Sequence, residues 1–132
     1  MLEGIAFRIR SLMEALAGIG LAQIGQIVAS GGFTQSRLWM QVVADGLNRE
    51  LNAPVWGETS CLGAAFWAML GTGHLKRIEE VRDLVRMGES LHPDPANVAV
   101  YDRIYPLYTR IYHSLSGAFE EVAGLQRDLR KR

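Results

Sequence analysis

The sequence predicts an α/β fold built on a βαβ unit, with two parallel strands and about five helices. Residues 26–30 form a short apolar run with β-branched members, which fits a buried strand. Gly31 and Gly32 follow, and apolar residues then recur at helical spacing. Residues 54–56 predict a second short strand ahead of another helical segment. Strands in this order should be parallel and joined by a right-handed crossover.

The first two helices are predicted from apolar periodicity. A stripe from Ile5 to Leu16 indicates a helix that ends at Gly18 and Gly20. The second helix follows the glycine pair, with Thr34 or Ser36 as its N-cap. Its apolar positions are Leu38, Trp39, Val42, Val43, Leu47 and Leu51.

The later helices are predicted from caps and spacing. Ser60 is the expected N-cap of a third helix that Gly71 and Gly73 stop, and residues 78–85 fit one more short helix. Asp94 and Pro95 suit the start of the last helix, which we expect to kink at Pro106 and to fray over residues 127–132. Four tyrosines share one face of that helix and predict core packing: Tyr101, Tyr105, Tyr108 and Tyr112.

Composition limits the classes of function. The chain has 132 residues, 48% of them hydrophobic, which suits one domain with a real core. Its 14 basic residues balance 14 acidic ones, so nucleic acid is not an expected partner. A single cysteine, Cys61, excludes an internal disulfide and a multi-cysteine zinc site and favours a reducing, cytoplasmic setting. The apolar runs are far shorter than a bilayer span, so no membrane association is expected.

The glycine pair carries the clearest binding chemistry. Gly31 and Gly32 permit positive φ and a close approach of a ligand, and the helix behind them presents free amide groups to a phosphate. Considered alone, an ordinary strand-to-helix turn is the commoner explanation. Glu58, which follows the second strand, is harder to explain by packing than the small residues 63–65.

Taken together, these segments resemble the C-terminal domain of the FGGY carbohydrate kinases, most closely the gluconate kinase and xylulose kinase branch. The resemblance covers nearly all of residues 1–132, which are accordingly identified as the nucleotide-side part of such a kinase. Residues 58–64 are most similar to the gluconate kinase version. The matching segments are 27–39, 41–45, 58–65, 71–73 and 101–108.

The resemblance implies a fold and a set of binding residues. The fold would be half of the ribonuclease H-like, actin-like ATPase architecture. Gly31 and Gly32 would lie against the ATP phosphates and adenosine, with Ser36 as a polar residue near the nucleotide. Phe33 departs from the small residue that often follows the glycine pair, although gluconate kinase-like members accept an aromatic residue there. Glu58 would support the site near the interdomain cleft, acting neither as an acid or base nor as a metal ligand.

The family also implies parts that this sequence does not contain. Its members carry an N-terminal domain with an Asp-x-Gly-Thr phosphate loop, a catalytic aspartate and a sugar-binding domain. No catalytic or metal-binding residue is therefore assigned here, and Mg²⁺ would be held mainly through ATP and the absent half. Because phosphoryl transfer needs all these parts in position, the chain alone should have little or no kinase activity.

A second hypothesis belongs to a different class of function. The same α/β fold could act as a non-enzymatic interaction module, forming a homo-oligomer through the surface that the absent strands leave exposed. The remaining reactive side chains point to no other site. His74, His92 and His113 lack metal-ligand spacing, and Cys61 is expected to be a buried, inert thiol.

Overall fold

The computed structural model describes residues 2–19, 25–56 and 58–130. Within those ranges it contains five α-helices, two short 3₁₀ helices and two short strands. In chain order these are α1 (Leu2–Gly18), β1 (Ile27–Val28), a 3₁₀ helix (Gly32–Gln35), α2 (Arg37–Leu47), β2 (Leu51–Asn52), α3 (Thr59–Gly71), a second 3₁₀ helix (Ile78–Asp83), α4 (Pro95–Ser114) and α5 (Ser116–Leu129).

The two strands pair in parallel and α2 connects them. Ile27 lies opposite Leu51, and the backbone amide of Ala29 extends the ladder by donating to the carbonyl of Asn52 at 2.7 Å. Leu91 adds an antiparallel bridge on the other side of Leu51, with hydrogen bonds of 2.9 and 2.8 Å. The predicted βαβ unit with parallel strands is therefore confirmed.

The second strand begins earlier than the sequence predicted. The strand consists of Leu51 and Asn52 rather than residues 54–56. Leu51 was expected on the second helix, but it lies in this strand and is only 1% exposed. The reason is Asn48, whose left-handed φ of 51° ends α2 at Leu47 and turns the chain. Pro54 has no amide hydrogen for a ladder and forms only an isolated bridge with Met87.

The core lies between α1, α2 and the short sheet. Ala6 of α1 is fully buried against α2, and a side-chain carbon built on Gly46 would stand 2.9 Å from the Ala6 Cβ. Glycine at this position lets the two helices approach closely. Leu38, which was predicted on the buried face of α2, is instead 70% exposed. The buried cluster consists of Ala6, Ala29, Met40, Val43, Ala44, Leu47 and Leu51.

Helix α4 closes the other side of α1 with its tyrosine face. The Phe7 ring lies 5.7, 5.7 and 5.6 Å from the rings of Tyr101, Tyr105 and Tyr108, which confirms the predicted packing role of the tyrosines. The Tyr105 hydroxyl donates to Glu14 Oε2 at 2.6 Å. These contacts hold the first and fourth helices together along their length.

Helix termini agree with the sequence at some positions and differ at others. Asp94 caps α4 by accepting from the Ala96 amide at 2.8 Å, and Pro95 is the first helical residue, as predicted. Gly18 is the last residue of α1, whereas Gly20 lies outside the described residues. Ser60 does not cap α3, because that helix already begins at Thr59.

The segment predicted as one long last helix is two helices, and the kink expected at Pro106 stays a prediction. Helix α4 runs through Pro106, and the break falls at Leu115, where ψ is 4°. Helix α5 then continues to Leu129, so the fraying predicted from residue 127 is wrong for residues 127–129. The segment predicted as a helix over 78–85 is the 3₁₀ helix Ile78–Asp83.

Candidate functional site

The glycine turn follows β1 directly and has a defined backbone geometry. Gly31 has φ 95° and ψ −178°, a conformation that side chains rarely adopt. Its carbonyl accepts from both the Thr34 amide, at 3.1 Å, and the Thr34 hydroxyl, at 2.7 Å. These bonds fix the 3₁₀ turn that carries the chain into α2.

Gly32 differs from Gly31 because neither its backbone nor its packing requires a glycine. Its φ lies outside the left-handed range, and a side-chain carbon built on it would meet no described atom within 4 Å. The residue is exposed. A glycine here leaves the backbone of the turn open to close approach by a ligand.

Ser36 lies at the start of α2 and its hydroxyl oxygen accepts from the Trp39 amide at 3.3 Å. Of the two predicted N-caps, the structure thus selects Ser36, while Thr34 stabilises the turn before it. A capping hydroxyl keeps its own proton as a donor, because the cap uses only an oxygen lone pair. The exposed side chain of Ser36 can therefore cap the helix and donate to a phosphate at the same time.

Phe33 anchors the turn to the body of the protein. Its ring lies 5.7 Å from the Trp39 ring in an edge-to-face arrangement, and the half-buried residue packs against the core cluster. Edge-to-face pairs of this kind add about 0.5–1.5 kcal/mol beyond the burial of area. Phe33 therefore holds the glycine turn against α2.

Glu58 lies at the N-cap position of α3 with an exposed side chain that forms no capping hydrogen bond. Because β1 and β2 are parallel, the glycine turn and the segment that leads to Glu58 leave the sheet at the same edge. That edge, at the carboxyl ends of the strands, is where α/β sheets bind their ligands. Glu58 follows β2 by six residues on the chain that starts from this edge.

An open cleft of about 270 Å³ lies beside the glycine turn. Its lining includes Thr34, Gln35, Arg37, Ala53 and Ser90. Arg37 is the first residue of α2 and is exposed, so it adds a cation where the helix dipole is already positive. Sequence reasoning did not select Arg37, although its position directly after Ser36 was a usable signal.

The other reactive side chains form no second centre. Among residues 2–19, 25–56 and 58–130, no group of three or more His, Cys, Asp and Glu side chains could hold a metal ion. His74 Nδ1 lies 2.9 Å from the Thr72 hydroxyl, and His92 lies 3.7 Å from Glu50 at the surface. Cys61 is exposed, which corrects the expected burial, because α3 has no buried residue among those described.

The strongest shift in acidity lies away from the glycine turn. Burial, together with the hydrogen bond to Glu14 and the charge of that carboxylate, raises the pKa of Tyr105 to about 12. This tyrosine belongs to the contact between α1 and α4. The perturbed group is therefore part of the framework.

No helix of the described residues is long and apolar enough to span a membrane.

Comparison with known proteins gives concordant matches. The family model of the C-terminal domain of the FGGY family of carbohydrate kinases matches residues 1–72. A gluconokinase of Bacillus licheniformis is 28% identical over 97% of this chain, which spans 25% of that protein. The crystal structure of xylulose kinase from Rhodospirillum rubrum superposes with a TM-score of 0.69 and 38% identity, over 90% of this chain and 24% of that one.

A further solved structure is similar in fold alone. The gluconate kinase from Lactobacillus acidophilus has a TM-score of 0.71 at 24% identity, over 92% of this chain and 24% of that one. These likenesses confirm the expected partial ribonuclease H-like, actin-like ATPase fold. The chain spans about a quarter of the length of the relatives that it matches.

Proposed function

Because the chain belongs to the FGGY family of carbohydrate kinases, within their C-terminal domain, we propose that it is the ATP-binding portion of an enzyme that phosphorylates a sugar or sugar acid. We assign the whole of residues 1–132 to this portion. The observation that carries the proposal is Gly32, an exposed glycine that neither its φ nor its packing explains.

The glycine turn is proposed to hold the nucleotide. Gly31 supplies the positive φ that turns the chain, and Gly32 keeps the backbone free of a side chain where phosphate or adenosine would approach. The N-terminus of α2 presents unpaired amide groups and a positive dipole end next to this turn. Ser36 would donate its hydroxyl proton to the nucleotide.

Phe33 and Glu58 are given supporting roles. Phe33 would border the adenosine while its contact with Trp39 keeps the turn in place. Glu58 would orient neighbouring groups at the carboxyl edge of the sheet, since it has no capping bond of its own. Mg²⁺ is placed on the ATP phosphates and on the part of the kinase outside this chain.

The reaction is the transfer of the γ-phosphoryl group of ATP to a hydroxyl group of the acceptor. It proceeds by positioning and charge stabilisation, and this chain contributes the binding and orientation of the nucleotide. The sugar-binding groups and the base that activates the hydroxyl belong to the N-terminal domain, so the chain alone should have little or no activity. We propose a cytoplasmic setting.

We place gluconate ahead of xylulose as the acceptor on the similarity of residues 58–64 to gluconate kinases. The 38% identity to a xylulose kinase makes xylulose the second acceptor to test. An assay of the intact enzyme with both acceptors and ATP would decide between them. A turnover ratio that favours xylulose would overturn the preference for gluconate.

Nucleotide binding can be tested on the chain itself by following amide resonances during titration with magnesium ATP. This measurement detects millimolar binding, which suits half of a cleft. We expect shifts concentrated at Gly31, Gly32 and Thr34, and their loss in Gly32→Val. Gly4→Val is the matched control, because a side chain at Gly4 also meets nothing within 4 Å. Equal shifts in the parent and in Gly32→Val would place the nucleotide elsewhere.

A non-enzymatic interaction module is the second candidate. Val28, on the short strand β1, is 50% exposed, and Trp67 on α3 is 65% exposed, so apolar surface is available to a protein partner. In that case the chain would associate in a concentration-dependent way and ATP would shift no amide of the glycine turn.

A further inference from the structure

Helices α4 and α5 carry an exposed apolar stripe that the fold leaves uncovered. Each of its α4 members directly precedes one of the tyrosines, so at 3.6 residues per turn the stripe lies roughly 100° around the axis from the tyrosine face that packs on α1. The large members of the stripe are each between 42% and 70% exposed. The stripe consists of Val100, Ile104, Leu107, Ile111, Leu115, Ala118, Val122, Leu125 and Leu129.

The spacing within the stripe is that of a helix-pairing seam. Its members recur at intervals of three and four residues over α4 and α5, so they stay on one helix face for about eight turns. Helix α5 has no buried residue among those described, so its half of the stripe packs against nothing else in the fold. A partner helix of equal length would cover it.

Four charged side chains lie along one edge of this stripe. Arg103 and Arg110 are on α4, and Glu121 and Asp128 are on α5. All four are exposed, and none forms an ion pair within the described part of the chain. The two basic residues precede Leu115 and the two acidic residues follow it, so the charge pattern reverses about the middle of the stripe.

We propose that the stripe is the interface of an antiparallel homodimer, in which α4 and α5 of one copy pair with α5 and α4 of another. A two-fold axis near Leu115 places Val100 opposite Leu129, Ile104 opposite Leu125, Leu107 opposite Val122 and Ile111 opposite Ala118. Every apolar residue of the stripe then meets an apolar residue.

Charge complementarity favours a second copy of this chain as the binding partner of the stripe. In antiparallel pairing the same edge of each helix faces its counterpart, so Arg110 meets Glu121 of the other copy and Arg103 meets Asp128. The two-fold axis repeats both pairs, which gives four complementary contacts from one edge of the stripe. A different partner would have to reproduce this charge reversal by chance. The proposal is independent of nucleotide binding, because none of these residues lies in the glycine turn.

The dimer can be tested by sedimentation velocity on the 132-residue chain from about 1 to about 500 µM. We expect a concentration-dependent dimer that Leu107→Glu abolishes. Arg110→Glu should raise the dissociation constant of the dimer about tenfold, because it creates two repulsive pairs beside the apolar seam. Combining Arg110→Glu with Glu121→Arg should return the dissociation constant to that of the parent. Arg82→Glu, an exposed charge reversal on the second 3₁₀ helix, is the control and should leave it unchanged.

Circular dichroism of each variant separates loss of pairing from loss of folding. A chain that stays monomeric at every concentration overturns the proposal. So does a dimer that tolerates Leu107→Glu in a folded chain, or one that the double charge reversal fails to restore.

The direction of pairing has its own test in a Cys61→Ser background. A cysteine at position 115 lies next to its own counterpart near the axis, whereas a cysteine at position 100 lies far from its counterpart. Under mild oxidation we expect Leu115→Cys to form a disulfide-linked dimer and Val100→Cys to remain uncrosslinked. Equal crosslinking of both variants, or of neither, would contradict antiparallel pairing.

Discussion

The Oδ1 atom of Asp45 accepts a hydrogen bond of 2.7 Å from the backbone amide of Asp94. Asp45 is 2% exposed on α2, and Asp94 is the residue that caps α4. Gln41 Nε2 also donates to Oδ1 at 2.7 Å, and Asn97 Nδ2 donates to Oδ2 at 2.8 Å. One buried carboxylate therefore joins the second helix to the start of the fourth.

Asp45→Asn should destabilise the fold, although it changes the side chain very little in size. Asparagine removes the charge that strengthens three hydrogen bonds, and its amide nitrogen would face the Asn97 amide until that exposed side chain turns, so we expect a cost of about 1–3 kcal/mol. Urea unfolding followed by circular dichroism measures this change. Asp102→Asn, at an exposed ion pair with Arg10, is the control and should cost less than about 1 kcal/mol. Equal effects of the two substitutions would contradict a special role for Asp45.

Gly46→Ala should also lower the free energy of unfolding, even though alanine favours helices. The new methyl group would stand 2.9 Å from the Ala6 Cβ, so α1 and α2 must separate, at a cost of about 1–3 kcal/mol. Gly63→Ala on α3 meets nothing within 4 Å and should stabilise by up to about 1 kcal/mol. A thermal melt of both variants provides the comparison. Stabilisation by Gly46→Ala would show that the helices are not in close contact there.

Two substitutions at Ser36 separate its structural role from its proposed binding role. Ser36→Ala removes the N-cap of α2 and should cost about 1 kcal/mol of stability. Ser36→Asp keeps a capping oxygen but brings a negative charge next to the proposed phosphate position. We expect it to retain stability in urea and to weaken the ATP-induced amide shifts. Unchanged shifts in a folded Ser36→Asp chain would remove Ser36 from the nucleotide site.

Tyr105 should make stability depend on pH in the alkaline range. The folded pKa of about 12 lies above the ordinary tyrosine value of 10.0, so the folded state binds the phenolic proton more tightly than the unfolded state. Its contribution is complete below about pH 10 and is lost as the pH rises towards 12. Urea unfolding at pH 9 and pH 11 should therefore show a smaller decrease in Tyr105→Phe than in the parent. Equal decreases would contradict the raised pKa.

Local signals predicted much of the fold. Apolar periodicity predicted α1 and α2, and the Asp94 and Pro95 pair predicted the start of α4, because these signals act over one or two helical turns. The position of β2 was not predictable in the same way. It depends on the left-handed residue Asn48 and on the bridge between Leu51 and Leu91, which are forty positions apart. Neither feature produces a recognisable pattern in the sequence near β2.

For the candidate site, the sequence indicated the glycine turn and the capped helix start but not the contacts that their side chains make. Gly31, Gly32 and Ser36 were expected from the strand, glycine pair and helix, and the structure gives them the turn and cap geometry described above. The contact of Phe33 with Trp39 and the exposure of Arg37 depend on how α2 sits on the sheet. Nucleotide binding by these residues remains a prediction.

The enclosure of Phe7 bears on how this chain is synthesised. Its aromatic neighbours on α4 are made late, since Tyr105 and its partner Glu14 are 91 positions apart. A chain still growing on the ribosome carries an uncovered phenylalanine until the fourth helix emerges. Exposed apolar surface on nascent chains recruits chaperones and promotes aggregation. Translational pausing before the fourth helix has emerged would accordingly prolong the exposure of Phe7.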